Sequence, residues 1–158
     1  MNATFQLSGL PVEPFAPLFG ADTAILARHG ARRMIADSDH GYPCRVSLRD
    51  ARAGEVVLLL PYTHQPADSP YRAAGPIFVR EDACPSRPDP GQLPAYITSR
   101  VHVSLRAYDV DHMLCAAGVC SGAETAAAIE RTWNDPRAAY LHLHNAAWGC
   151  YLGRVDRA

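Results

Sequence analysis

The chain contains no lysine, and all 15 of its Lys/Arg positions are arginine. This absence excludes a Schiff-base lysine, a Walker-type phosphate lysine and a serine–lysine dyad. The net charge is −1, and no basic stripe favours nucleic acid. The longest apolar stretch, Val56 to Pro61, is far too short to span a bilayer. We therefore expect neither a nucleic-acid partner nor a membrane partner.

Cysteine pairs of the C-x-x-C type are also absent, which disfavours a zinc ribbon or a thioredoxin-like site. The N-terminus lacks the charged region and the apolar run of a signal peptide. We therefore expect a cytoplasmic protein whose cysteines are reduced. A chain of 158 residues buries enough surface to fold without a cofactor, and we predict none. The five cysteines form an odd set: Cys44, Cys84, Cys115, Cys120 and Cys150.

Alternation of apolar and polar residues predicts several strands. The clearest alternating segments are 101–108 and 139–144, and a last strand follows at 150–155. The apolar run 56–60 is typical of a central strand. Further strands are predicted near 32–36, 44–48, 77–80 and 113–119.

Two helices are predicted from their capping residues. Asp22 and Gly30 bound a helix over 23–29, with Ile25 and Leu26 facing the core. A capping box formed by Ser121 and Glu124 begins a second helix over 122–133.

The predicted fold class is therefore α+β, in a single domain over residues 1–158. It consists of a mostly antiparallel sheet with two helices packed on one face. The predicted shared core consists of Val103, Leu105, Ile129, Trp133, Leu141 and Leu143.

A long proline-rich connection, residues 61–76, lies between two predicted strands and is rich in polar and aromatic groups. Loops of this length are often functional. We expect this loop to close a binding pocket together with at least one of Arg45, Arg106 or His142. The loop residues predicted to take part are Tyr62, His64, Asp68, Tyr71 and Arg72.

Four segments together resemble a bacterial family known as domain of unknown function 1203. They are GYPCRVSLRDA (41–51), LLLPYTHQPADSPYRAAGPIFVRE (58–81), SLRAYD (104–109) and YLHLHNAAWGCYLGRVDRA (140–158). The most specific parts are Tyr-Pro-Cys-Arg at 42–45, Ser-Pro-Tyr-Arg to Gly-Pro-Ile-Phe-Val at 69–79, and Gly-Cys-Tyr at 149–151. The resemblance implies a self-contained bacterial domain and carries no catalytic role over to this chain.

Cys44 is the candidate nucleophile, because the neighbouring guanidinium of Arg45 favours its thiolate. In this hypothesis His64 is the acid–base group, oriented by Asp68, and Arg45 and Arg72 clamp an anion. The alternative is that Cys44 is a buried core residue that shares one strand face with Val46 and Leu48.

His142 and His144 lie two residues apart on a predicted strand, so both imidazoles leave the same face of the sheet. This is the arrangement of two metal ligands, but the sequence does not name a third among His64, His102 and the cysteines. We therefore assign no metal and expect an exposed polar face whose charge changes across neutral pH. Asn145 is a candidate positioning group beside His142, and Arg106 is a further candidate anion clamp.

These residues favour a small enzyme, or an enzyme-like domain, that binds a small polar or anionic metabolite. Two alternatives remain open. One is a noncatalytic ligand-binding or protein-interaction module that uses the same polar face. The other is a metal-dependent enzyme built on His142 and His144.

Overall fold

The computed structural model describes residues 5–158, which divide into two compact units. Within the described chain, the first unit contains residues 5–8, 63–73 and 87–158, and the second contains 9–62 and 74–86. The single domain predicted over residues 1–158 stays a prediction. No helix in the described part of the chain combines the length and the apolar character needed to cross a membrane.

Ten strands and three α-helices make up the regular structure of residues 5–158. The strands are β1 (Phe5–Ser8), β2 (Arg32–Ile35), β3 (Pro43–Cys44), β4 (Arg49–Asp50), β5 (Val56–Gln65), β6 (Ala73–Arg80), β7 (Val103–Tyr108), β8 (Leu114–Cys120), β9 (Tyr140–Asn145) and β10 (Tyr151–Arg157). The α-helices are α1 (Thr23–Arg28), α2 (Ala95–Thr98) and α3 (Thr125–Thr132), with short 3-10 helices at Ala16–Leu18 and Gly122–Glu124.

The strands form two sheets of five strands each. The first unit contains the order β1-β10-β9-β7-β8, in which all neighbouring strands are antiparallel. The other sheet has the order β2-β5-β6-β3-β4 and includes one parallel contact, between β3 and β6. The predicted mostly antiparallel pairing is confirmed, but it is divided between two sheets, and the helices number three rather than two.

The core of the first unit contains all six residues predicted to form it. Leu105 is 3% exposed and Leu143 is 0% exposed, and the other four are also buried. Helix α3 packs against β7 and β8. The predicted capping box of Ser121 and Glu124 is present and begins the 3-10 turn that leads into α3.

Helix α1 confirms its predicted caps and corrects its predicted core face. The Asp22 side chain accepts a hydrogen bond from the Ile25 amide, and Gly30 has the left-handed φ of +65°. Leu26 is buried, but Ile25 is 41% exposed. Neighbouring helical residues point about 100° apart, so this short helix buries only one of the two.

The strand predicted over 44–48 is wrong, because β3 ends at Cys44 and residues 45–48 form a turn. The Leu48 amide donates to the Cys44 carbonyl, and Leu48 takes a left-handed φ of 51°. Cys44, Val46 and Leu48 are nevertheless all buried. Their shared burial therefore comes from a turn and does not require the face of a strand.

The long loop predicted over 61–76 is also wrong, because β5 continues to Gln65 and β6 begins at Ala73. Proline is tolerated in a strand where no ladder hydrogen bond is needed on its side. Pro61 lies beyond the end of the β2 pairing, which stops at Leu59. The connection is therefore only residues 66–72, and His64 lies on a strand.

Leu143→Ala is expected to lower the free energy of unfolding by about 2–5 kcal/mol, because it removes a fully buried side chain and leaves a cavity. Urea denaturation measures the change. Val119→Ala is the control, since Val119 is 64% exposed, and its cost is expected to stay within about 0.5 kcal/mol. Equal losses in the two variants would contradict the assigned core.

A three-residue ion-pair network lies in the second unit. Glu55 accepts from Arg49 at 2.8 Å and from Arg80 at 2.7 Å. The hydrogen bond from Arg49 is the main cause that holds the pKa of Glu55 far below its usual value, with the amide of Arg52 and Arg80 adding to it. A carboxylate whose pKa is depressed by folding stabilises the protein only while it is ionised.

Glu55→Gln is therefore expected to destabilise the protein at pH 7. The difference from wild type should shrink as the pH falls below about 4.3, the pKa of an unfolded glutamate, towards the lower pKa of the folded state. Chemical denaturation at a series of pH values measures it. Glu130→Gln serves as the control, because Glu130 is exposed and forms no ion pair within residues 5–158. A difference independent of pH would show that the ion pairs do not cause the effect.

Candidate metal centre

Two histidines of β9 lie on one face of the first unit's sheet, as strand alternation predicts. His142 pairs in register with Arg106 of β7 and with Arg154 of β10. His144 pairs with Tyr151 of β10 on the same face. The His142 and His144 ring centroids are 6.3 Å apart, which confirms that they lie side by side.

This face is buried, so the predicted exposed polar surface is wrong. His142 is 2% exposed and His144 is 0% exposed. The cover includes His64 at the end of β5, whose ring centroid lies 5.0 Å from that of His144. His64 also stacks on Tyr151 at 5.3 Å between centroids. Aromatic side chains and a third imidazole therefore replace the water that we expected above these histidines.

Hydrogen bonds hold the covering segment, residues 63–73, in place within the first unit. The buried Gln65 side chain donates from Nε2 to the Tyr140 hydroxyl at 2.9 Å. That hydroxyl also lies 2.8 Å from Nδ1 of His112. The Ser69 hydroxyl donates to the His112 carbonyl at 3.0 Å. The segment that carries His64 is thus fixed at Gln65 and again at Ser69.

The three imidazoles together make a cluster with the geometry of a metal site. His64, His142 and His144 each offer one ring nitrogen, and these nitrogens all lie within 4.8 Å of one another. We call this set the three-histidine cluster.

A backbone carbonyl orients one member of the three-histidine cluster. Nδ1 of His144 lies 3.0 Å from the Gly149 carbonyl oxygen, which can only accept, so this nitrogen carries the proton. The lone pair of neutral His144 is therefore on Nε2. Gly149 has a φ of +78°, a conformation that favours glycine. Asn145 shapes the same turn, because its side-chain oxygen accepts from the amides of Ala147 and Trp148.

Two further ring nitrogens of the cluster are buried without a hydrogen-bond partner within residues 5–158. They are Nδ1 of His64 and Nδ1 of His142. A buried polar atom left unpaired costs about 1–3 kcal/mol, and most such atoms in proteins are paired. A metal ion bound between these nitrogens would satisfy them.

The surroundings favour the neutral form of two of the three imidazoles, His142 and His64. The pKa of His142 is lowered to about 3, first by burial and then by the neighbouring His144, His64, Arg154 and Arg106. Burial, followed by the charge of Arg106, also lowers the pKa of His64. Neutral imidazole is the form that binds metals.

The two arginines that flank His142 differ in their partners. Arg154 forms an ion pair with Asp156 at 2.8 Å and lies over the Tyr140 ring at 4.1 Å. Arg106 is partly buried and forms no ion pair with any carboxylate of residues 5–158. One positive charge beside the cluster is therefore not neutralised by these residues.

The remaining loop candidates contribute less than the sequence predicted. Asp68 is exposed and forms no hydrogen bond with His64 among the residues that the structure describes. Arg72 is exposed and donates to the Pro66 carbonyl, so it shapes its own loop. Tyr71 packs edge-on against Tyr108 at 6.2 Å between centroids, and the Tyr108 ring lies 5.1 Å from that of His142.

Cys44, Arg45 and Tyr62 lie in the second unit, each with its own local contacts. Cys44 is 0% exposed, and its sulfur accepts from the amides of Arg80 at 3.3 Å and Ser47 at 3.5 Å. Arg45 is buried and donates to the Pro43 carbonyl. The Tyr62 ring packs on Phe15 at 5.8 Å between centroids. These surroundings are typical of a core cysteine, and the catalytic role of Cys44 stays a prediction.

Sequence reasoning missed three residues that build the cluster: Gln65, Gly149 and Tyr151. Gly149 and Tyr151 belong to the Gly-Cys-Tyr box that the sequence singled out, but nothing in the sequence linked this box to His144. Gln65 was hidden in the segment treated as a loop. No pattern in the sequence showed that β5 continues through His64 and Gln65.

Comparison with known proteins assigns the chain to a protein family. No curated protein and no solved structure matches the chain. A family model does match, over residues 41–157, which include all three histidines of the cluster. The chain therefore belongs to the family described as "Protein of unknown function (DUF1203)".

Proposed function

We propose that the first unit is the catalytic centre of a transition-metal-dependent enzyme that acts on a small polar substrate, with His64, His142 and His144 as the metal ligands. The observation that carries this proposal is the meeting of three imidazole nitrogens within 4.8 Å, two of the rings being fully buried. Strand alternation in the sequence pointed to His142 and His144 as ligands, and the third ligand, His64, lies on strand β5.

The donor set selects the class of metal. Three neutral nitrogens suit zinc, copper, iron or nickel, whereas calcium and magnesium require oxygen ligands. The cluster includes no carboxylate or thiol from residues 5–158. We take zinc as the reference metal, because a site of three histidines is one of its catalytic ligand sets.

Metal binding requires a small closure of the cluster. At zinc–nitrogen distances of about 2.0–2.1 Å, tetrahedral ligands lie about 3.4 Å apart. The separations here are up to 4.8 Å, so the rings must approach by at most about 1.4 Å. The Gly149 carbonyl holds His144, so we assign this approach to the half-buried His64 and to His142.

The arrangement leaves a coordination position for chemistry. Three protein ligands on a tetrahedral ion leave a fourth position for water or substrate. A metal ion in such a site lowers the pKa of its bound water to about 7 and supplies a hydroxide nucleophile. The carbonyl of Gly149 acts behind His144, because it fixes the tautomer and the orientation of the ring.

The other functions considered from the sequence have weaker support. An enzyme with Cys44 as nucleophile requires an accessible thiol, and this one is fully buried. A noncatalytic binding module does not explain why Nδ1 of His64 and Nδ1 of His142 are buried with no hydrogen-bond partner among residues 5–158. We also propose that the protein works in the cytoplasm, where its five cysteines stay reduced.

Calorimetric titration of chelator-treated protein with Zn²⁺ is expected to show one ion bound per chain. His64→Ala, His142→Ala and His144→Ala should each weaken binding by about 100-fold or more, because each removes a ligand. Zinc at 100 times its Kd should raise the free energy of unfolding of the wild type by about 2.7 kcal/mol.

His102→Ala is the matched control, because His102 belongs to the same unit but is exposed and lies outside the cluster. It should bind zinc as the wild type does. Wild-type protein that takes up no zinc, or a His102→Ala variant as impaired as the three others, would refute the metal centre. Glutamine replacements at the three positions repeat the test should an alanine variant unfold.

Gly149→Ala tests the support behind His144. It should reduce zinc affinity about tenfold, because a side chain strains the φ of +78° and displaces the carbonyl that orients the ring. Gly91→Ala introduces the same strain at a φ of +79° elsewhere in the first unit and should leave zinc affinity unchanged. Equal zinc affinities in Gly149→Ala and Gly91→Ala would show that Gly149 does not support the metal site.

A further inference from the structure

We propose that the three-histidine cluster takes a small organic anion, with Arg106 holding its carboxylate or phosphate group while another oxygen of the same molecule reaches the metal. This inference rests on the proposed function, since it names the substrate class of that same site. It is argued from two observations that metal binding alone does not require. Arg106 lies beside His142, and it forms no ion pair with any carboxylate in the part of the chain that the structure describes.

The register of the sheet places Arg106 directly beside the cluster. Arg106 of β7 is the partner of His142 of β9, so the two side chains leave the same face of neighbouring strands. Side chains opposite one another in an antiparallel pair have Cβ atoms about 4.5–5.5 Å apart. The charge of Arg106 acts on both His142 and His64, which agrees with this placement.

The charge at the site is unbalanced. A divalent ion on three neutral imidazoles keeps its full charge of two, and Arg106 adds one more. Arg154 and Arg106 both act on His142, and Arg106 also acts on His64. Within residues 5–158, Arg106 forms no ion pair with a carboxylate. Asp156 is committed to Arg154 at 2.8 Å. Partly buried like charges repel strongly, so the metal and Arg106 together call for an anion from outside.

The shape of Arg106 selects the kind of anion. A guanidinium forms two parallel hydrogen bonds to a carboxylate or a phosphate, a geometry that a simple halide cannot match. Next to Arg106 on the same face lies Tyr108, whose ring packs against Tyr71 and Tyr140. These rings give the position an aromatic wall and favour an organic molecule.

The test uses protein loaded with Co²⁺, whose visible absorption reports changes of coordination at the metal. The probes are glycolate, its uncharged analogue glycolamide, and inorganic phosphate. Glycolate is expected to change the spectrum with a saturable dependence, and glycolamide is expected not to. Phosphate binding tighter than glycolate would assign the site to phosphorylated substrates, and the reverse order would assign it to carboxylates.

Arg106→Gln is expected to raise the Kd for the bound anion at least about tenfold while cobalt loading is retained. Arg137→Gln is the control, because it removes one positive charge from an exposed arginine of the same unit that is paired with Asp135. Arg106→Lys keeps the charge but loses the paired hydrogen bonds of the guanidinium, so it should give an intermediate Kd. It also provides the measurement if the glutamine variant is unstable.

The outcomes separate this inference from the proposed function. Failure of the wild type to take up cobalt would refute the metal centre itself. Cobalt uptake together with equal responses to glycolate and glycolamide would overturn the anion site and leave the metal centre standing. A Kd in Arg106→Gln within about twofold of the wild type, or the same as in Arg137→Gln, would likewise overturn it.

Discussion

Exclusion of water from His142 and His144 is the constraint on which the candidate site depends. Two imidazoles on one strand need either water or partners, and here the covering segment 63–73 removes the water. The same segment brings His64 to them at 5.0 Å between ring centroids. The bond from Gln65 to Tyr140 and the carbonyl of Gly149 then fix the two ends of the arrangement. Burial by this segment therefore accounts both for the ligand geometry and for the two nitrogens, Nδ1 of His64 and Nδ1 of His142, that lack a hydrogen-bond partner within residues 5–158.

Sequence patterns predicted those parts of the molecule that local periodicity controls. Alternation over 139–144 placed His142 and His144 on one face, and the Ser121–Glu124 capping box was confirmed. Periodicity could not show that this polar face is covered, because the cover comes from residues about 80 positions earlier in the chain. Pro61 also disguised the continuation of β5, since the effect of a proline on a strand depends on whether a neighbouring strand is paired at that point. The third ligand was therefore named only as one of several alternatives.

Burial affects both the histidines of the site and the charged residues beside them. Burial favours the uncharged form of His142 and His64, which suits a metal, and it also makes each remaining charge more costly. Arg154 is neutralised by Asp156, whereas Arg106 on the other side of His142 forms no ion pair within residues 5–158. This excess of positive charge is the reason for proposing an anionic ligand. In the proposed site, metal binding and anion binding would be coupled, because each would offset the cost of burying the other.

Zinc K-edge X-ray absorption of protein carrying one zinc ion per chain is the sharpest test of the proposed metal centre, because it identifies the atoms bound to the metal. We expect a first shell of nitrogen and oxygen only, at about 2.0–2.1 Å, with the outer-shell pattern of three imidazole rings. In His64→Ala the imidazole contribution should fall to two rings. A sulfur neighbour at about 2.3 Å, or a shell without imidazole, would place the metal at the cysteines or on the surface and contradict the account.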